Sequence, residues 1–341
     1  MLAPISRVPG LFTRAAALLL LTACVHVSSV IADETVRVAT FNCEFLIKSK
    51  VHIKYGLPFT LNEEQSAEWE QAGFRDAKLK EATKAVARVI KKIDAHVIVL
   101  TEVGDESDVA VLRDEVAAAG LDYPHVAVCK STDHTTGQHV AVLSQKPLEG
   151  LLKTIPGRES YDTELDDAEA ESDTGVSKGM RVTFMVEGAP VHLFGLHLAS
   201  ERGGHEQDAQ RIAQASIVRR NYLELLNRGD HVIVAGDLND HPGQPAIRRI
   251  RGRDDIYGDL IQTGNVEYFK PEELDTRWTY QFQGVRQQID HILPSSSIRE
   301  ACKGGGIKTR VVPVTETIGT TGRLASDHRA LVVTFEFKDA D

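Results

Sequence analysis

The sequence predicts an α+β domain, and two observations carry that prediction. Short apolar runs of strand character alternate with amphipathic helices along residues 36–337, and no internal repeat or long low-complexity tract interrupts them. The composition agrees: of 341 residues, 42% are hydrophobic and 26% charged, the proportions of an ordinary globular chain. No linker divides the body, so one domain spanning 33–341 is expected.

The first 32 residues stand apart. Arg7 and Arg14 form a basic start, AAALLLLTACV is an apolar stretch too short for a confident membrane span, and VIA before Asp33 fits a cleavage site. This reads as a signal peptide. Leu21-Thr22-Ala23-Cys24 also resembles a lipobox, which would put a lipid on Cys24 and the protein at a membrane. Plain secretion is the first reading, because the apolar character continues past Cys24 to Ala32. Either way, the expected location is outside the cytoplasm, secreted or periplasmic.

VRVATFN (36–42) alternates and is rich in β-branched residues, hence a strand. Residues 75–94 place Leu79, Ala82, Val86, Val89 and Ile90 on one helical face. AHVIVLTEV (95–103) is a continuous apolar run, as in a strand buried on both faces. Strands follow at 124–129, 138–144, 180–186 and 190–197, then a helix at roughly 205–228 and the strand HVIVAGD (231–237). QQIDHIL (287–293) and HRALVVTFEF (328–337) complete the series. Two segments break the rhythm: 48–74, a mixed-polarity insertion, and 157–179, with eight acids between Glu159 and Asp173. The acidic run reads as a solvated loop.

The formal charge is −10, and since residues 1–32 hold two arginines and no acid, the mature chain carries −12. Such a surface is a poor passive coat for nucleic acid, although metal ions can supply positive charge locally. Cys43, Cys129 and Cys302 remain after cleavage, which excludes a disulfide scaffold. No stable protein partner is indicated, and a monomer is expected.

Chemistry-bearing residues gather where strands end. Asn42, Glu102, His197 and Asp237 close four of them, with Asn239 and Asp240 just beyond; Asp290 lies in the 287–293 run, and Ser326-Asp327-His328 leads into the last strand. Such positions cluster along one sheet edge and converge. Carboxylate and amide oxygens suit hard divalent cations, magnesium or manganese and also calcium, better than zinc.

VATFNCEFL, VIVLTEVGD, HVAVLSQKPL, FGLHLAS, VIVAGDLNDHPG, QQIDHILPS and SDHRALVVTFE, in that order, resemble the endonuclease/exonuclease/phosphatase superfamily over nearly all of 36–337. The resemblance implies a four-layer α/β/β/α sandwich, two mixed β-sheets face to face with helices outside, and a divalent-metal-dependent phosphoric-ester hydrolase. It further implies that Glu102 binds the metal with Asn42 beside it and Asp327 completing its environment. Asp237 would orient or deprotonate the attacking water, and Asn239 would fix it or contribute to a second metal position. His328 would face the phosphate, paired with Asp290, and His197 would bond a non-bridging oxygen.

Arg202, Arg211, Trp278, Tyr280 and Arg286 are candidates for cradling phosphate or stacking on a base, with strand packing the stronger reading for the two aromatics. Asp240 and His241 read as an ordinary turn, and His291 alternates away from Asp290. An extracellular nuclease acting on nucleic acid is the leading expectation. A hydrolase of small phosphoesters or phospholipid head groups is the second, and a catalytically silent binding domain the third. The Trp-Cys-Asp-Arg signature of the inositol-polyphosphate phosphatases is absent, and no apolar membrane-docking hairpin is evident in the sequence.

Overall fold

Strand β1 (Thr35–Leu46) opens the domain in a computed structural model that describes residues 34–164, 171–252 and 277–338. Residues 1–33, where a signal peptide or lipobox is expected, lie outside the described residues. After β1 come helices α1 (Glu63–Trp69) and α2 (Phe74–Ile93), strand β2 (Val97–Val103), helix α3 (Glu106–Ala118), and strands β3 (His125–Val128), β4 (His139–Ser144) and β5 (Glu149–Leu152). Strands β6 (Ile155–Asp162), β7 (Glu171–Val176), β8 (Gly179–Val186) and β9 (Ala189–His197) lead to helix α4 (Gly204–Leu226), strand β10 (His231–Asp237) and helix α5 (Pro245–Arg251). The chain ends with β11 (Tyr280–Phe282), β12 (Val285–Gln287), β13 (Asp290–Pro294), α6 (Ser296–Ala301), β14 (Cys302–Val312) and β15 (Ala330–Phe337).

Two mixed sheets carry the architecture, ordered β14-β15-β1-β2-β4-β3 and β13-β10-β9-β8-β5. Period-two alternation makes the layers. In β1 and β2, Val36, Val38, Val97 and Val99 face the second sheet, while Ala39, Phe41, Ile98 and Leu100 face α2 and α3. On the second sheet Leu193, Ile233 and Ala235 fill the same dry interior, and Phe194, Leu196, Val232 and Val234 pack beneath α4 and α5. Each such apolar side chain contributes about 1.5–3 kcal/mol by leaving water. The four-layer sandwich expected from the sequence is the one observed. Gly195 helps the sheets close: a Cβ there would sit 3.2 Å from a Val99 methyl and 3.4 Å from one of Val140.

Each sheet has a parallel pair at its heart, β1 with β2 and β9 with β10. Parallel neighbours end on the same side, so four C-terminal ends meet at one edge of the molecule.

The acidic segment corrects one expectation. Residues 165–170 lie outside the described residues, but on either side β6 and β7 pair as an antiparallel ribbon rather than a solvated loop. Ile155 and Val176 anchor the ribbon in the core under α4, and Arg158–Asp173 and Arg220–Glu159 pairs offset its acids. The 48–74 insertion likewise holds a 3-10 turn at Val51–Tyr55 and helix α1, started by a capping box between Asn62 and Gln65. Cys43, Cys129 and Cys302 are free and buried. No helix among the described residues is long and apolar enough to cross a membrane.

Candidate active site

Asp237 ends β10 directly opposite His197 of β9 on one side and Asp290 of β13 on the other. Gly236, one residue earlier, is required there: its φ is +144°, and a Cβ would lie 1.9 Å from the Leu196 carbonyl oxygen. The Asp237 carboxylate reaches across to the first sheet, where the Asn42 amide donates to its Oδ2 at 2.9 Å and to Glu102 Oε1 at 3.1 Å. Asn42 is oriented by the Glu44 N–H, which donates to its Oδ1 at 2.8 Å. The Phe45 N–H donates to Glu102 Oε2 at 3.0 Å. These two amides point inward because β1 bulges here, with Glu44 and Phe45 both at φ +47° and Glu102 at +56°. Left-handed backbone of this kind in non-glycine residues costs about 1–3 kcal/mol each and clusters at functional sites. Asn239, also left-handed, donates its N–H to Asp237 Oδ1 at 3.0 Å and its amide to the Leu198 carbonyl at 3.0 Å, clamping the ends of β9 and β10 together.

His328 Nδ1 and Asp290 Oδ2 are 2.8 Å apart in full burial. His328 Nε2 points back to Asp237 Oδ2 at 3.9 Å. His197 Nε2 approaches the same oxygen at 3.9 Å and Glu102 Oε1 at 4.0 Å. The two imidazoles are held in opposite states. Burial opposes charge on His328, but Asp290, Asp327 and Asp237 outweigh it and raise its pKa well above 6.5. Burial, Lys178 and His328 all lower His197, leaving it neutral. Both neighbours of His197 Nε2 are acceptors, so the tautomer with the proton on Nε2 fits. Burial and then the Asp290 charge push Asp237 up to about 7.

The sequence profile described as "Endonuclease/Exonuclease/phosphatase family" matches residues 39–328. The chain belongs to that family. No curated protein matches it. Among solved structures, truncated TDP2 from Caenorhabditis elegans superposes with a TM-score of 0.54 at 17% identity, covering 89% of this chain and 98% of the other. Beta toxin from Staphylococcus aureus, in a structure with bound magnesium ions, gives 0.53 at 14% identity, covering 88% and 99%. Sphingomyelinase C from Streptomyces griseocarneus gives 0.50 at 17%, covering 89% and 99%. These likenesses show the fold.

A divalent ion of the kind this family uses fits the residues present. Three buried or half-buried carboxylates, Glu102, Asp237 and Asp290, converge; Asp290 Oδ1 is buried without a hydrogen-bond partner, an oxygen left over for a cation. The ligand atoms of Asp237, Asp290 and His328 lie within 4.8 Å of one another. A cation in that triangle would have to displace the His328–Asp290 hydrogen bond. The two carboxylates of Glu102 and Asp237, bridged by the Asn42 amide, are therefore the better cradle. Asp327, expected to complete it, is exposed at the rim.

The other residues expected at the site divide. Tyr280 stacks on His328, ring centroids 4.6 Å apart, and its hydroxyl accepts from Arg202. Trp278 lies between guanidinium groups, Arg329 at 3.4 Å from its ring centroid and Arg286 at 5.5 Å, so Arg stacking occupies the face proposed for a base. Arg211 lies at the α4–α5 junction. It is 4% exposed and donates to the Ala199 carbonyl and Asp208, beside Asp240, because it is needed to fill and neutralise the α4–α5 junction. Asp240 accepts from the Ala246 N–H at the start of α5, a cap, and His291 bonds the Asp240 carbonyl, away from the site. The β11–β12 hairpin exposes Phe282 (40%) and Val285 (61%), which its pairing sets opposite each other. Sequence reasoning assigned no role to Ser326, although it sits in the Ser-Asp-His motif. Its hydroxyl donates to the Asn42 carbonyl at 2.7 Å and accepts the His328 N–H at 3.0 Å.

Proposed function

We propose that this family member is a divalent-metal-dependent phosphodiesterase that cleaves nucleic acid outside the cytoplasm, as a monomeric 33–341 domain released from its leader. The observation that carries the reading is the convergence of His197, the Asp290-backed His328 and the Asn42-bridged Glu102 on one buried carboxylate, Asp237. In-line hydrolysis of a phosphodiester needs a base for water and neutralisation of the non-bridging oxygens. Asp237, ionised, takes the proton of a water whose oxygen bonds to phosphorus. His328, charged and backed by Asp290, donates from Nε2 to a non-bridging oxygen, and neutral His197 donates to another. As the bond from phosphorus to the leaving oxygen breaks, that oxygen takes a proton from solvent. Asn42 and Asn239 hold Asp237 in place throughout. A magnesium or manganese ion held by Glu102 with Asn42, and Asp327 at the rim, would supply the remaining positive charge. Nucleic acid is favoured as substrate by the guanidinium groups of Arg202, Arg286 and Arg329 around the His328 side, on a chain that is otherwise acidic.

A second reading keeps the chemistry and changes the substrate to a phospholipid head group. Exposed Phe282 and Val285, on the hairpin whose Tyr280 covers His328, favour it, as does the likeness to a protein named sphingomyelinase C. Purified mature protein with plasmid DNA, bis-p-nitrophenyl phosphate and p-nitrophenyl phosphate, each with magnesium, manganese or EDTA, decides. EDTA-sensitive nicking supports the nuclease. Diester cleavage with intact plasmid moves the substrate to small or lipid phosphodiesters. Silence on all three leaves the phospholipid reading first and, after it, a binding domain.

A further inference from the structure

Lys54 lies in the segment between β1 and α2 to which the sequence assigns no role. Its side chain is 0% exposed. Nζ donates to the carbonyl oxygens of Cys43 at 2.7 Å and Ala325 at 2.6 Å, and Glu44 stands 3.7 Å away. Lysine is almost never fully buried, because taking an ammonium out of water is costly. What it joins explains the exception. Cys43 follows Asn42, and Ala325 precedes Ser326, three residues before His328. The β1–β15 ladder runs out at Thr40 opposite Leu331, so both segments have left it before they reach the site. Two clasps stand in its place, the Lys54 ammonium and the Ser326 hydroxyl. Arg323 closes the ring: its Nε donates to the Lys54 carbonyl at 2.7 Å, and its guanidinium lies 3.6 Å from Glu44. The β1 bulge, with two successive residues at φ +47°, is the kind of backbone that persists only when neighbours over-determine it.

We propose that Lys54 is a positioning residue, whose ammonium sets the separation between the Asn42–Glu102 half of the site and the His328–Asp290 half. Its kinetic readout rests on the phosphodiesterase reading above; its spectroscopic readout does not. Misplacement of reacting groups by about 1 Å costs on the order of a hundredfold. Lys54→Met should therefore lower kcat on bis-p-nitrophenyl phosphate with magnesium by about 10–100-fold, with KM within about threefold. Val51→Ala, a cavity in the same buried turn, should lower Tm without moving kcat more than about twofold. In metal-free protein at fixed pH, the His328 ring resonances should move in Lys54→Met and stay in Val51→Ala. Where Lys54→Met does not fold, Lys54→Gln, with one amide donor for one carbonyl, should give an intermediate loss. Unchanged kcat and an unmoved His328 signal in a folded Lys54 variant would overturn the proposal, as would equal kcat loss in Val51→Ala. A wild type inert on the diester refutes the phosphodiesterase reading alone, and the His328 resonances then decide for Lys54.

Discussion

Asp237 Oδ2 lies 3.9 Å from Nε2 of His197 and 3.9 Å from Nε2 of His328, one imidazole neutral and the other charged. A single carboxylate thus faces a hydrogen-bond donor of each kind. Asp237→Ala and His328→Ala should each lower kcat by about 10²–10⁴-fold, the usual worth of a positioned acid or base. Strand-end placement argues from sequence that both variants keep the fold. Burial tempers this for His328, since its loss strands Asp290 in the interior at about 1–3 kcal/mol. Paired activity and thermal melts on each variant separate the two effects.

The same burial makes metal-free stability depend on pH. Asp237 rises from 3.8 to about 7 on folding, so its contribution is present below 3.8 and is lost as pH climbs to about 7. His328 is also raised, from 6.5, so its contribution is full below 6.5 and is lost as pH rises through its folded pKa. EDTA-treated protein should melt lower at pH 8 than at pH 5.5. Asp237→Asn should narrow that gap; an identical pH response in this variant would assign the effect elsewhere.

Glu102 accepts from two donors and faces the proposed cation cradle. Glu102→Gln should raise the magnesium concentration for half-maximal rate by about tenfold or more, with partial recovery at high metal. An unchanged magnesium titration would remove Glu102 from the ligand set.

Asp240 and His241 supply a contrast within a few residues of Asp237. Asp240→Ala should cost about 1–3 kcal/mol by leaving the buried Ala246 N–H without its acceptor, and leave kcat of the folded protein unchanged. His241→Ala should be nearly silent in both. A large kcat loss in either would mean that this turn reaches the substrate.

The strands that build the site were legible because their patterns are strong: β-branched alternation in β1, a continuous apolar run in β2, and polar residues at their ends. Asn42, Glu102, His197, Asp237, Asn239, Asp290 and His328 meet as their strand ends suggest. Elements whose stability comes from partners were not legible. The β6–β7 ribbon is acidic and gains its order from Arg158, Arg220 and the floor of α4. Helix α3, absent from the elements expected from sequence, begins at an Asp105 cap just after Glu102. Arg211 looks like a phosphate ligand in sequence because nothing local reveals that its charge is consumed by Asp208 and Asp240. Lys54 gives no local sign at all, since the carbonyl of Ala325 that it grips is 271 residues away.

The half of the site on β1 and β2 and the half on β9 and β10 belong to different sheets, separated by a layer of valine, leucine and glycine. The thickness of that layer is the gauge of the catalytic gap. Enlarging Gly195 or Val99 by one or two methyl groups would jack the sheets apart and widen the mouth without touching a polar residue. Reach toward a bulkier phosphoester can thus be tuned from the hydrophobic interior, by the same side chains that hold the domain together.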